Sequence, residues 1–173
     1  YRAMPAGVDY VLMGAAITKE IPGALDRLAD HRAASVRFDV EGLGRDEAEY
    51  LTFDPAEHWE VVDPPLIRRP LFLPIIASNS LATMLARKAT GRVDGFVVEG
   101  PTAGGHNAPP RGETQFNERG EPVYTERDEV DLQNLAELGL PFWLAGGTGA
   151  PDKLVAALAA GAGPPENTMP TRL

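Results

Sequence analysis

Apolar residues in this chain gather into short continuous runs that alternate with stretches of helical spacing. Residues 9–14 (DYVLMG), 71–77 (LFLPIIA), 94–99 (DGFVVE) and 140–147 (LPFWLAGG) are runs of that kind, and each is short enough for a buried strand. Residues 34–40 (ASVRFDV) alternate apolar and polar in the strand manner, with Gly42 and Gly44 closing the element. Between the runs, residues 20–31 place Ile21, Ala24, Leu25 and Leu28 at helical steps, and Pro22 suits a first turn because its missing N–H costs nothing there. Residues 78–90 carry Leu81, Met84, Leu85 and Lys88 at the same steps, with Ser78 or Ser80 available as the cap. Residues 130–139 and 150–161 form two more helical patterns, ended by Gly139 and Gly161. The stretch from Arg45 to Arg69 is weakly patterned and reads as surface connection with room for one short strand.

Continuous apolar strands separated by amphipathic helices predict an α/β fold with a parallel sheet covered by helices. Five strands are expected, whereas a complete eight-stranded α/β barrel needs roughly 250 residues. With 173 residues, one domain is expected, either a small open sheet or part of a barrel.

Composition narrows the chemistry. The formal net charge of −9 argues against nucleic-acid partners and against an anionic membrane surface. No apolar run approaches the ~20 residues that span a bilayer, and no signal-peptide pattern opens the chain, so a cytoplasmic location is expected. The absence of cysteine removes disulfides, thiolate metal sites and Cys nucleophiles. The 18 glycines and 16 prolines punctuate apolar runs and read as turns. Asp94 and Glu99 bracket a strand without the partners a metal site needs, so no metal is expected. His31 is read as a cation at a helix end, His58 as a surface residue and Trp143 as core.

In parallel α/β folds ligands bind beyond the C-terminal ends of the strands. Gly14, Gly100, Gly146 and Gly147 all fall there, as does the loop EGPTAGGHNAPPRG, residues 99–112. Gly104 and Gly105 let that backbone come close to a ligand, and consecutive N–H groups in such a turn can hold an anion. His106 follows them directly and titrates near neutrality, which suits a general base. The plainer readings are a tight turn and a solvated histidine. Residues 144–149 (LAGGTG) could cradle a phosphate at a helix N-terminus, or could simply join a strand to a helix. The polar stretch from about Pro101 to Asp128 is longer than a plain connection and reads as a lid over this site.

DGFVVEGPTAGGH, followed by LPFWLAGGTGAPDKLVAALAAGA, resembles the nitronate monooxygenase family, formerly called 2-nitropropane dioxygenases. VDYVLMGAAI and LFLPIIAS precede them in the expected order, so the likeness runs over most of residues 7–162. Flavin-dependent enoyl-ACP reductases share these motifs. The resemblance implies a TIM barrel that binds FMN and oxidises alkyl nitronates with O₂. It implies that Ala103, Gly104 and Gly105 lie against the flavin and its ribityl-phosphate chain, with Glu99 and Gly100 leading into that loop. His106 would act on the substrate beside the flavin, Gly146 and Gly147 would form a phosphate-binding turn, and Gly14 and Ser78 would line the site.

In the family, further strands stand before the position of Tyr1 and one more follows Ala162. The expectation is therefore a partial barrel over residues 1–162 with an irregular tail over 163–173. A small-molecule substrate is implied, and the oligomeric state is left open. The alternatives are a flavin-dependent enoyl-ACP reductase-like enzyme or a barrel fragment with no activity of its own. A barrel isomerase or aldolase fits less well, because Lys19, Lys88 and Lys153 all read as helix or loop positions.

Overall fold

The computed structural model describes residues 1–14, 18–38, 40–44, 47–58, 64–104 and 107–163. Its strands are β1 (Tyr10–Met13), β2 (Ala34–Phe38), β3 (Glu49–Phe53), β4 (Leu71–Ile76), β5 (Phe96–Glu99) and β6 (Phe142–Ala145). Its helices are α1 (Ile21–Ala29), α2 (Asn79–Lys88), α3 (Leu132–Ala136) and α4 (Pro151–Ala159). The fold is α/β. A four-stranded sheet of order β1-β4-β5-β6 is parallel throughout and alternates with helices. That arrangement is consistent with part of a barrel, and no closed barrel forms among the described residues.

One strand does not join that sheet. Residues 34–38 pair antiparallel with β3, from Ala34↔Phe53 to Phe38↔Glu49, as a separate two-stranded sheet. The parallel sheet therefore has four strands, one fewer than the apolar runs suggest. The reason lies in the polar positions of β2. Parallel strands are buried on both faces and need continuous apolar runs, whereas Ser35 and Arg37 stand exposed, with the Ser35 hydroxyl 2.8 Å from that of Thr52.

The two faces of the parallel sheet differ. Phe72, Ile76, Phe96, Val98 and Phe142 share one face and form the core with Leu25 and Ala29 of α1, Ala82 and Leu85 of α2, and Leu135 of α3. Phe72, Phe96 and Phe142 are fully buried, and burying each contributes roughly 2–3 kcal/mol. The other face carries Tyr10, Leu12, Leu73, Ile75, Val97, Glu99 and Trp143, as the strand registers require. It is mostly apolar but thinly covered, with Tyr10 at 43% and Leu12 at 54% exposure. Trp143 is half-buried on this face, not in the main core. Pro74 lies inside β4, where the ladder to β1 ends and that to β5 begins one residue later, so its missing N–H falls at the changeover.

The N-terminal ends of the strands are tied by a charge cluster. Arg69 bonds the carboxylate of Asp26, reaches Asp94 Oδ2 at 2.6 Å, and donates to the carbonyls of Pro70 and Arg92 at 2.9 and 2.5 Å. Asp94 also accepts from the Phe72 N–H at 2.8 Å and pairs with Arg92 at 2.6 Å. Asp94 therefore joins β4 to the approach of β5. His31 closes the end of α1, where its backbone N–H donates to the Leu28 carbonyl at 3.2 Å. It sits just past α1 at φ 55°, with Nδ1 2.7 Å from the Tyr1 hydroxyl and Nε2 2.8 Å from the Pro65 carbonyl. A carbonyl only accepts, so Nε2 donates there. His58 is exposed and stacks on Phe53, with ring centroids 5.0 Å apart.

Candidate functional site

The parallel sheet brings the C-terminal ends of four strands to one edge. Gly14 follows β1, Ala77 and Ser78 follow β4, Gly100 follows β5, and Gly146 follows β6. Four of the sequence motifs therefore meet at one end of the sheet, the end where parallel α/β proteins bind ligands.

Two of those motifs touch. Gly146 (φ +81°) and Gly147 (φ +74°) make the turn after β6. A Cβ on Gly146 would stand 2.5 Å from the Ala103 Cα and N, and one on Gly147 would stand 2.9 Å from the Thr102 hydroxyl. The turn needs glycine twice over, for its left-handed backbone and for its close approach to the loop after β5. The neighbouring loop backbone fills the space beside Gly146. Gly100 and Gly104 differ, since a Cβ at either would meet nothing within 4 Å. Among the described residues, the space beside Gly100 and Gly104 is therefore open, while Thr102 and Ala103 between them pack against the turn. Asn107 closes this loop by donating to the carbonyls of Pro101 and Ala103 at 3.2 and 3.1 Å, while its own Oδ1 is buried without a partner.

The remaining candidates have structural roles that the sequence leaves open. The Ser78 hydroxyl caps α2 by accepting from the Leu81 N–H at 3.1 Å, and lies 3.1 Å from the Ser80 hydroxyl. Gly14 lets Ile75 come close, since a Cβ there would stand 3.0 Å from the Ile75 side chain. Glu99 is half-buried at the end of β5 on the thinly covered face. Gly105 and His106, the residues given the largest chemical role, lie outside the described residues, as do positions 164–173 of the expected tail.

The long excursion after β5 is pinned to the sheet at both arms. Arg111 Nη2 donates to the Ala77 carbonyl at 3.1 Å. Asp131 and Asn79 exchange two hydrogen bonds, at 2.7 and 2.9 Å, and so tie the start of α3 to the start of α2. Asp128, buried at 9% exposure, braces the middle. Its carboxylate accepts from the Arg111 and Thr125 N–H groups at 2.7 Å each, and from the Thr125 hydroxyl at 3.2 Å. These donors, the Arg111 N–H first, hold the Asp128 carboxyl below its ordinary value, because a hydrogen-bonded carboxylate resists protonation. A cleft of about 490 Å³ opens beside it, lined in part by Arg111, Gln115, Thr125 and Asp128. A larger cleft, about 680 Å³, lies between α2 and α3 and away from the glycine loops.

Sequence reasoning missed Arg111 and Asp128. Their signal was an Arg and an Asp inside a long polar stretch, which looks the same whether the residues are solvated or anchored. Among the described residues, no group of three or more His, Asp or Glu is arranged to hold a metal ion, and no helix is long and apolar enough to cross a membrane. Comparison of the chain with protein-family models, with curated proteins and with solved structures gave no match.

Proposed function

We propose that this chain is an FMN-dependent oxidoreductase of the nitronate monooxygenase type. The observation that carries the reading is the contact of the Gly146–Gly147 turn with Thr102–Ala103 at the C-terminal edge of a parallel sheet. The two motifs on which the resemblance rests, about 40 residues apart in sequence, are neighbours in space. Bound FMN would supply the redox chemistry, and the protein would supply orientation and electrostatics.

The residues present fit such a group in part. Gly100 and Gly104 leave the loop backbone open to a planar ring or a phosphate chain. Gly146 is packed against Ala103, so its part is to hold the loop in place, and the N–H groups beyond it remain candidates for the phosphate. His106 would donate a hydrogen bond to a nitronate oxygen, or act as the base toward a neutral nitroalkane. Asn107 fixes the loop that carries His106, through its bonds to Pro101 and Ala103.

The test is an oxygen-uptake assay with propyl-2-nitronate beside a crotonyl thioester assay with NADH, for the wild type and His106→Ala. Nitronate turnover that collapses in His106→Ala supports the reading. Turnover of the thioester alone assigns the enoyl-reductase alternative. One observation favours a second reading, a barrel fragment without activity of its own: the apolar sheet face bearing Tyr10 and Leu12 is open to solvent. A chain that unfolds without a cooperative transition and turns over neither substrate supports that reading, and a cooperative two-state transition counts against it.

A further inference from the structure

We propose that Arg111 is the anion-binding residue of the strand-end site, and that it takes a small planar anion with two oxygens, a nitronate or a carboxylate. Arg111 lies in the excursion after β5, well away in sequence from β4. Its guanidinium nonetheless sits at the C-terminal end of β4, where Nη2 donates to the Ala77 carbonyl at 3.1 Å. The register Ile76↔Val98 sets Ala77 level with Glu99 and Ser78 level with Gly100, so this cation stands at the height of the open glycine loop.

The placement is built. The Arg111 backbone N–H is held at 2.7 Å by the buried Asp128 carboxylate, which also holds Thr125. Pro110, immediately before it, is buried. The backbone is thus fixed while the side chain remains exposed.

The guanidinium is also underused. It has five N–H donors, and the bond to Ala77 is the one hydrogen bond its side chain makes among the described residues, with no ion pair to a carboxylate. The Asp128 carboxylate feels the Arg111 charge but makes no direct bond to the guanidinium, because its oxygens are taken by the N–H groups of Arg111 and Thr125 and by the Thr125 hydroxyl. The remaining N–H donors of the guanidinium are therefore open to a ligand at the C-terminal edge of the sheet. The guanidinium fork matches a planar pair of oxygens through two parallel N–H bonds, a geometry that lysine cannot offer. The inference rests on the proposed function only in naming that anion as the substrate.

The test is a calorimetric or NMR titration of the flavin-free chain with isobutyrate, which has the same number of heavy atoms as propyl-2-nitronate and a planar two-oxygen anionic group, at low ionic strength. The wild type should bind one equivalent saturably. Arg111→Gln should weaken binding roughly tenfold or more, as loss of a charge-assisted hydrogen bond does. Arg111→Lys should fall between the two, and Arg119→Gln, whose residue pairs with Glu121 at the tip of the excursion, should bind as the wild type does. If Arg111→Gln fails to fold, a several-fold loss in Arg111→Lys still supports the fork. Absent saturable binding, equal affinity in wild type and both Arg111 variants, or tighter binding of inorganic phosphate than of isobutyrate would each overturn the proposal. A chain that binds isobutyrate through Arg111 but retains no FMN refutes the flavin reading and leaves this inference standing.

Discussion

Gly146→Ala is the substitution that bears hardest on the candidate site. The added methyl meets two separate obstacles. Gly146 has φ +81°, a left-handed backbone that costs an L-residue roughly 1–2 kcal/mol. The new Cβ would also stand 2.5 Å from both the Cα and the N of Ala103, and those backbone atoms cannot rotate away as a side chain could. Forcing a methyl into a packed contact typically costs about 1–3 kcal/mol. Together the two effects predict a loss of roughly 2–5 kcal/mol, and part of it is relieved if the loop after β5 moves off the turn. For a domain of this size each kcal/mol lowers Tm by roughly 2–4 °C, so Tm should fall by about 4–20 °C.

The control is Gly104→Ala, on the same surface. A Cβ there meets nothing within 4 Å, so Tm should move by less than about 2 °C. Thermal melts followed by circular dichroism read both variants. FMN retention after desalting reads the loop geometry separately, and it should drop in Gly146→Ala. A Gly146→Ala chain as stable as the wild type would show that the turn and the loop do not pack as described. A Gly104→Ala chain as damaged as Gly146→Ala would show that the space beside Gly104 is filled.

Other expectations follow from the scaffold. Removing one partner of the Arg69–Asp94 pair, at 13% and 8% side-chain exposure, should cost about 3–5 kcal/mol in Arg69→Met, read by urea denaturation; a change under 1 kcal/mol would count against the cluster. Ser78→Ala should cost about 1 kcal/mol through loss of the α2 cap, and Ser78→Asp should recover much of it. The Asp128 carboxyl titrates lower in the folded chain than in the unfolded chain, so its contribution is fully present above the ordinary aspartate value of 3.8 and is lost as pH falls from there through the depressed folded value. Asp128→Asn should therefore be less stable than the wild type at neutral pH, and the gap should close on acidification; a gap that widens at low pH would refute the assignment.

The continuous apolar runs at 71–77, 94–99 and 140–147 were legible because a strand buried on both faces leaves no room for polar positions, and all three became neighbouring parallel strands. A cap at Ser78 or Ser80 was legible because a hydroxyl before a helical pattern commonly accepts free helical N–H groups, and the structure gives that role to Ser78. Residues 34–38 were misassigned to the parallel sheet because apolar–polar alternation identifies a strand but not its partner, and the partner β3 lay in a stretch with little pattern of its own. At the site, the glycines announced close approach without saying to what. The structure gives Gly146 to the Ala103 backbone and leaves Gly104 open. Arg69, Asp94, Arg111 and Asp128 were not legible as anchors at all. Beside near neighbours such as Arg92 and Thr125, the bonds that tie separate elements together join residues 17 to 43 apart in sequence, and charge spacing along a chain carries no information about contacts at that range.

An absorbance scan of the purified chain from the near ultraviolet through the visible, before and after adding FMN and desalting, tests the central claim most directly. Retained flavin bands, weakened by Gly146→Ala and unaffected by Arg119→Gln at the tip of the excursion, are the predicted result. A chain that melts cooperatively yet returns from the desalting column colourless would contradict the claim that these strand-end loops form a flavin site.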